Sequence, residues 1–405
     1  MLQAKPWRKP MVARNHAEGH RQASWLELFF DLSFVVAVAQ AASQLEHSLA
    51  AGHPGSGLIG YLVVFGAIWW AWMAFTWFAN VFDTDDVLYR LLMMVMIAGS
   101  LGLAAGVPRI FQLDFRVAVI SYVIMRLAYV AQWYRVLRTG DPKWRPVAVR
   151  MIVLTTISQV GWILFLWVPA EWRLPVFVIW FAGDIATPYV SDWDARMGGH
   201  RHHIVERYGL FTVIVLGESI AAATVAVGEA IKGAVEVFPL LALAVGGLVV
   251  VFSLWWIYFD FSTGRASERT KKSQYLWGYL HYFVFAAIAA VGAGLALCVD
   301  WLTDGGHMAL ADWSAALVVG AAVAVFLLTM SLIEGVAEGG YETGAVFLKL
   351  GASLAAIAAA LAAPFATVPG SIGLIGLVLA AIVVYGVVIQ HRLHLDAQRQ
   401  IVGDS

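Results

Sequence analysis

Leu58–Phe82 reads LIGYLVVFGAIWWAWMAFTWFANVF, a run of 25 residues without one charged side chain. About 20 mainly apolar residues are enough to carry a helix through the hydrocarbon core of a bilayer. The run therefore predicts a membrane-spanning helix, and the rest of the chain has the same character. Of its 405 residues, 61% are hydrophobic and 13% charged, and the mean hydropathy is +0.76. A soluble domain carries about a quarter charged residues, so the composition points to a bilayer as solvent. It excludes a disordered chain, a collagen and a disulfide-built secreted module. Lys and Arg number 26 against 27 Asp and Glu, so no global basic field exists to hold a nucleic acid. The single cysteine, Cys298, excludes an intrachain disulfide.

Reading outward for similar runs predicts twelve spans: 25–46, 58–82, 88–107, 115–136, 147–168, 172–190, 204–227, 237–260, 275–299, 312–333, 344–363 and 370–390. The sixth is short and bounded by Pro175 and Pro188. The eleventh is so rich in alanine that it is expected inside the bundle. With the N-terminus on the cytoplasmic side, 21 of the 26 Lys and Arg fall on that side and 4 on the other, with Arg126 inside a span. That asymmetry is what the positive-inside rule demands, and it places both termini in the cytoplasm of a multi-pass protein of the cell (plasma) membrane. The first apolar run carries Glu27 and Asp31 and has no small-residue cleavage site, so it reads as a span and not as a signal peptide.

Two landmarks recur. Glu27-Leu-Phe-Phe-Asp31-Leu-Ser-Phe is matched by Glu206-Arg207-Tyr-Gly-Leu-Phe-Thr-Val, at an offset of 179 residues. The aromatic cluster Trp69-Trp70-Ala-Trp72 is matched by Trp255-Trp256-Ile-Tyr258, at an offset of 186. Each cluster leads to an acid, Asp83 or Asp260. The expected fold is all-α integral membrane, about 12 transmembrane helices in two same-orientation six-helix repeats, since an even number per repeat preserves direction. The divisions are a basic cytoplasmic tail (1–23), a first repeat (24–190), a cytoplasmic linker (191–203), a second repeat (204–392) and a second tail (393–405).

Ionisable groups within spans are costly and default to paired or functional roles. Glu27 and Asp31 are four residues apart, on one face of the first helix. They repel unless a proton, a cation or a basic side chain intervenes. Arg126 lies eleven residues into the fourth span, with Glu218 at a comparable depth in the seventh. A buried Arg126–Glu218 pair is therefore expected, as a gate, a substrate site or a static clamp. The remaining polar groups, Asp184, Glu206, Arg207, Asp260, His281, Glu334 and Lys349, gather toward the cytoplasmic half and suggest a vestibule. Asp83, Asp85 and Asp86, with Asp260, form its acidic mouth, where the first three read as helix-end charges at the headgroups. The His200-Arg-His202-His203 tract reads as loop. Neither it nor any span has the ligand spacing of a zinc or haem site, and no Walker loop, dinucleotide fingerprint or nucleophile elbow occurs. No metal and no cofactor is expected.

Ser24-Trp-Leu-Glu27-Leu-Phe-Phe-Asp31-Leu-Ser-Phe-Val resembles the opening signature of the bacterial low-temperature-requirement A family. Phe82-Asp-Thr-Asp-Asp86 is similar to its second motif. His203-Ile-Val-Glu206-Arg207-Tyr-Gly-Leu-Phe-Thr-Val-Ile-Val-Leu-Gly217-Glu218-Ser219 resembles its third and most specific one. The resemblance implies a multi-span inner-membrane protein linked by name to growth in the cold, without a known substrate or reaction. The residues it carries over as family-typical are Glu27, Asp31, Asp83, Asp85, Asp86, Glu206, Arg207, Gly217 and Glu218. The repeat architecture is also similar to that of a class of potassium channels with a Phe-Ser-Asp motif. Here Phe30-Asp31 lacks the intervening Ser, and the seventh span has no equivalent Asp.

The function expected from these residues is membrane transport, by a secondary transporter or an ion-conducting protein. Glu27, Asp31 and Glu218 would bind protons or cations, with Arg126 as a counter-charge or an anion handle. The alternatives are an integral-membrane enzyme using Asp83, Asp85 and Asp86 to hold Mg²⁺ on a lipid or phosphate-bearing substrate, and a non-catalytic stress or assembly protein. An enzymatic role is the less expected. The expected partners are the lipid bilayer and a small ion or small-molecule substrate, with self-association open and nucleic acid excluded.

Overall fold

The computed structural model describes residues 6–14, 22–192, 201–232, 236–263, 271–304, 311–338, 340 and 343–403, and among them the regular structure is helix alone. The elements are α1 (Trp25–Ser33), α2 (Val35–Ala50), α3 (Pro54–Val81), α4 (Val87–Phe111), α5 (Arg116–Thr139), a 3-10 turn (Pro142–Trp144) and α6 (Arg145–Phe165). They continue with α7 (Ala170–Ser191), α8 (Arg201–Lys232), α9 (Val237–Thr263), α10 (Lys271–Thr303), α11 (Asp312–Glu338), α12 (Thr343–Leu361), α13 (Ala363–Ala366) and α14 (Val368–Gly403). Among the described residues, 12 helical segments are long and apolar enough to cross a membrane, and each falls on one of the runs read from the sequence. The first combines α1 and α2, which meet at a tightened turn where Phe34 N–H donates to Asp31 O at 3.2 Å.

Contacts divide the chain into two compact units. The first takes in the described residues of Met1–Leu45, Pro54–Ile214 and Thr270–Tyr275. Its centre is α3, buried on every face from Tyr61 to Val81 apart from Leu62, Val63 and Ala67. A helix apolar all round belongs inside a bundle. Trp69, Trp70 and Trp72 are at most 2% exposed, and their neighbours are aromatic too. Phe75 meets Phe30 of α1 at 4.8 Å between ring centroids, Phe78 meets Trp133 of α5 edge-on at 5.2 Å, and Trp72 stacks on Phe211 of α8 at 4.3 Å. Large rigid rings bury much area at low entropic cost.

The second unit comprises the described residues of Glu46–His53, Val215–Arg269 and Leu276–Ser405. It packs through small residues that let backbones approach. A Cβ on Gly320 of α11 would lie 2.8 Å from the Ala356 carbonyl oxygen of α12, and one on Gly246 of α9 would lie 3.0 Å from Gly373 N of α14.

Two expectations are corrected. The alanine-rich span, α12, is not enclosed: it buries one face, Lys349, Ala352, Ser353, Ala356, Ala359 and Ala360, while Phe347 and Leu354 are exposed. Its alanines serve close approach to α11. Pro175 and Pro188 lie inside α7 and do not bound it. Residues 6–14 of the basic tail are docked. Pro6 O and Trp7 O accept from Val87 N and Leu88 N (both 3.2 Å), and Arg14 N donates to Val81 O (3.1 Å). Helix N-termini leave such N–H groups without partners, and this strap satisfies two of them. Of the remaining tail and linker, residues 1–5, 15–21, 193–200, 404 and 405, with His200 among them, lie outside the described residues.

The α4–α5 turn is pinned by its own charges. Arg116 Nε and Nη2 donate to Asp114 at 2.9 and 3.1 Å, and this fork holds the Asp114 carboxyl down to about 2.

The Gly320 contact gives a direct test of the close packing. Gly320→Leu forces a side chain against backbone and is expected to cost about 1–3 kcal/mol, read as a lowered melting temperature of the purified protein. Gly351→Ala, on the open face of α12, is expected to leave that temperature unchanged or raise it.

Candidate functional site

The first unit gathers four buried ionisable side chains from two helices. Ser24 caps α1, accepting from Glu27 N at 3.3 Å while Ser24 N donates to Glu27 Oε2 at 2.8 Å. This reciprocal box fixes the first turn, and Asp31 follows one turn later on the same face. On α8, His203 and Arg207 have the same spacing of four. The two pairs meet: Arg207 donates through Nε to Asp31 Oδ2 (2.7 Å) and through Nη2 to Asp31 Oδ1 (2.5 Å). Arg207 Nη1 lies 3.1 Å from Glu27 Oε1, and His203 Nε2 lies 3.4 Å from the same oxygen. All four residues are at most 1% exposed.

Helix α3 closes the site with neutral polar groups. Trp72 Nε1 donates to Asp31 Oδ1 at 2.7 Å, Arg207 Nη2 donates to Thr76 Oγ1 at 3.3 Å, and Asn80 Oδ1 lies 3.0 Å from His203 Nδ1. Trp72, Thr76 and Asn80 fall on one side of α3 at intervals of four. The Arg207–Asp31 fork is the strong form of an ion pair, since planar guanidinium and carboxylate share two parallel hydrogen bonds. Asp31 therefore already holds its cation.

The residues of this cluster lie within a stretch shared with known proteins. The sequence profile of the bacterial low temperature requirement A protein (LtrA) matches residues 22–388. The chain belongs to the LtrA family. It is also 26% identical over 325 residues to an uncharacterized protein of Rhizobium meliloti (strain 1021), covering 74% of this chain and 78% of that one. With 12 membrane-capable helices, this LtrA protein is a polytopic membrane protein.

The other expected site residues of this LtrA chain are distributed differently from the sequence reading. Arg126 does not meet Glu218; its carboxylate neighbour is Asp184 of α7, 3.9 Å away. Between them stands Tyr122, whose hydroxyl accepts from Arg126 Nη2 (2.7 Å) and donates to Asp184 Oδ2 (3.1 Å). Trp162 Nε1 donates to the same oxygen at 3.3 Å. The guanidinium lies 5.0–5.6 Å from the ring centroids of Trp70, Tyr122 and Tyr129, an arrangement that stabilises a desolvated cation.

Asp83, Asp85 and Asp86 share the α3–α4 turn but not a focus. Asp83 accepts from Arg14 at 3.1 Å, and Asp85, in the left-handed region at φ 44°, accepts from Arg90 at 2.7 Å. Asp86 is fully buried, which corrects the reading of it as a headgroup charge. It caps α4 through Tyr89 N (2.7 Å) and holds Lys9 N (2.7 Å) and Arg135 Nη2 (2.5 Å). Each of the three acids thus has an arginine, and a divalent cation here would have to displace them. Glu206 Oε1 is 3.4 Å from Ala23 N.

In the second unit, His281 is fully buried. Its Nδ1 donates to Trp277 O (2.8 Å), so its Nε2 accepts from Tyr258 Oη (3.2 Å). Lys349 is paired with Glu334, and Asp260 accepts from Trp256 on its own helix at 2.6 Å. Glu218 is half-buried midway along α8. Among the described residues it makes no hydrogen bond or ion pair.

The sequence reading missed His203, Trp72, Thr76 and Asn80. It took His203 for loop, whereas α8 begins at Arg201. The available signal was the spacing of His203 and Arg207, the basic counterpart of Glu27 and Asp31.

Breaking a buried, hydrogen-bonded ion pair costs about 3–5 kcal/mol. Arg207→Lys keeps the charge but loses the fork and is expected to lose a large part of that amount. Trp72→Phe removes one donor and costs about 1–3 kcal/mol. Thermal unfolding of the purified variants checks both; equal melting temperatures for Arg207→Lys and wild type would contradict this geometry.

Proposed function

We propose that this LtrA-family chain is a membrane transport protein, a secondary transporter or an ion-conducting protein, working through its first and seventh spans. The observation that carries the proposal is the buried cluster joining α1 to α8, which brings two carboxylates, Glu27 and Asp31, to the guanidinium of Arg207. Ionisable groups buried within membrane-spanning helices are costly and default to functional or paired roles. Asp31 is the anchor and Glu27 the group that faces the transported species. Glu218, further along the same helix and without a partner among the described residues, is the next carboxylate on the path. Arg126 and Asp184 are a compensated pair that adds no net charge, and His281 holds its helix through two hydrogen bonds.

In this reading the two halves are same-orientation repeats of six spans. Both termini face the cytoplasm of the plasma membrane, as the distribution of Lys and Arg favours. The strapped acids Asp83, Asp85 and Asp86 and the second-half acid Asp260 border the cytoplasmic mouth. The family's name associates it with a low-temperature requirement, and ion balance in a cold-stiffened membrane is a setting in which such a protein would matter. The enzyme reading has less support, because the arginine on each acid of the α3–α4 turn takes the place that a divalent cation would need.

The test is flux of protons, potassium, sodium and chloride into liposomes bearing the purified protein under an imposed voltage. Flux of at least one ion is expected, abolished by Glu218→Gln and retained in Asp85→Ala. No flux of any of these, or the same flux in Glu218→Gln, would overturn the assignment.

A further inference from the structure

We propose that the first unit holds one anionic phospholipid, with an acyl chain in the apolar cleft lined by α3 to α7 and its phosphate on Arg173 at the mouth of that cleft. This site is separate from the α1–α8 cluster and stands whether or not the chain transports an ion.

The cleft measures about 490 Å³ with its open mouth included, within the range of sites that take small organic ligands. Val63 and Ala67, which interrupt the burial of α3, line it. Phe177 and Phe181 of α7 line it as well, their rings stacked at 5.4 Å. Tyr122 and Trp162 complete this wall, and both direct their polar atoms at Asp184, which leaves ring carbon for the cleft. A polar solute finds no hydrogen-bond partner on such walls. A hydrocarbon chain, the solvent around any spanning helix, fits them.

Arg173 decides the class of ligand. Arg173, Phe177 and Phe181 follow one another at intervals of four on α7, so one face of the helix leads from a cation into the cleft. Arg173 Nε and Nη1 donate to Val168 O (3.0 Å) and Leu113 O (2.7 Å). These bonds hold the guanidinium 5.8 Å from the ring centroid of Phe115, itself part of the cleft wall. Among the described residues, Nη2 makes no hydrogen bond and Arg173 pairs with no carboxylate. Arg109 and Arg116 share Asp114 at the α4–α5 turn, at 3.7 and 2.9 Å. With Glu171 in the first turn of α7, three guanidiniums and two carboxylates gather at this end of the first unit and leave one positive charge. Trp167 and Trp172, 73% and 60% exposed, mark the level of an aromatic belt, which is the depth of the lipid headgroups. A phosphate there accepts from a planar guanidinium in the geometry both favour, and the chain attached to it continues along Phe177 and Phe181.

The experiment is native mass spectrometry of the full-length protein released from nanodiscs that contain equal amounts of phosphatidylglycerol and zwitterionic phosphatidylcholine. One phosphatidylglycerol per chain is expected to remain on the wild type, in preference to phosphatidylcholine. Arg173→Gln removes the charge and is expected to weaken that binding about tenfold or more. Ala67→Phe fills the cleft and is expected to abolish it, whereas Lys232→Gln, a basic residue of the second unit, retains the lipid. The headgroup comparison on the wild type needs no variant, and Arg173→Gln keeps the test decisive if Ala67→Phe fails to fold. Equal retention of the two lipids, or undiminished binding in Arg173→Gln or in folded Ala67→Phe, would overturn the proposal. So would a free fatty acid in place of the phospholipid, or a second copy of the chain bound with no lipid. Ion flux in liposomes bears on the transport reading alone, so the two can fail separately.

Discussion

Arg207 and Asp31 form the contact on which the first unit depends. Both are fully buried, both come from opening turns of membrane-spanning helices, and their fork joins chain segments 176 residues apart. Such a pair is a weak source of net stability, because removing two ions from water offsets most of their attraction. Its effect is specificity. A carboxylate and a guanidinium that each need the other allow one register of α1 against α8. Once that register is set, Trp72, Thr76 and Asn80 of α3 lie at the depths of Asp31, Arg207 and His203.

The two acids of α1 look equivalent in the sequence, one turn apart on one face. In the structure their partners differ. Asp31 accepts from Arg207 Nε, Arg207 Nη2 and Trp72 Nε1, while Glu27 divides its oxygens between the helix cap and the contacts to Arg207 and His203. Ser24 and Glu27 hold the turn through which the chain enters the bundle.

The twelve spans and the shared face of Glu27 and Asp31 were legible because hydropathy and helical period are local properties. What failed needed azimuth or tertiary partners. Arg126 and Glu218 share a depth, which suggested a pair, but depth says nothing about which way a side chain points, and Asp184 is the residue that faces Arg126. Alanine content in α12 correctly signals close approach, yet it does not distinguish a helix surrounded by neighbours from one packed along a single face. The strap of residues 6–14 carries no periodic signal, since its place is set by the unpaired N–H groups at the start of α4. His203 was hidden in a histidine tract that reads as loop, whereas α8 already begins at Arg201.

The central claim is that Asp31 and Arg207 act as one unit, and a double-mutant cycle in thermal stability tests it most directly. Asp31→Asn and Arg207→Gln each leave a buried charge without its partner, whereas the double variant leaves none from this pair. The account predicts that the double variant is less destabilised than the sum of the two single variants, with a coupling of about 0.5–3 kcal/mol. Additive losses would show that the two side chains do not depend on each other, and would contradict the placement of α1 against α8.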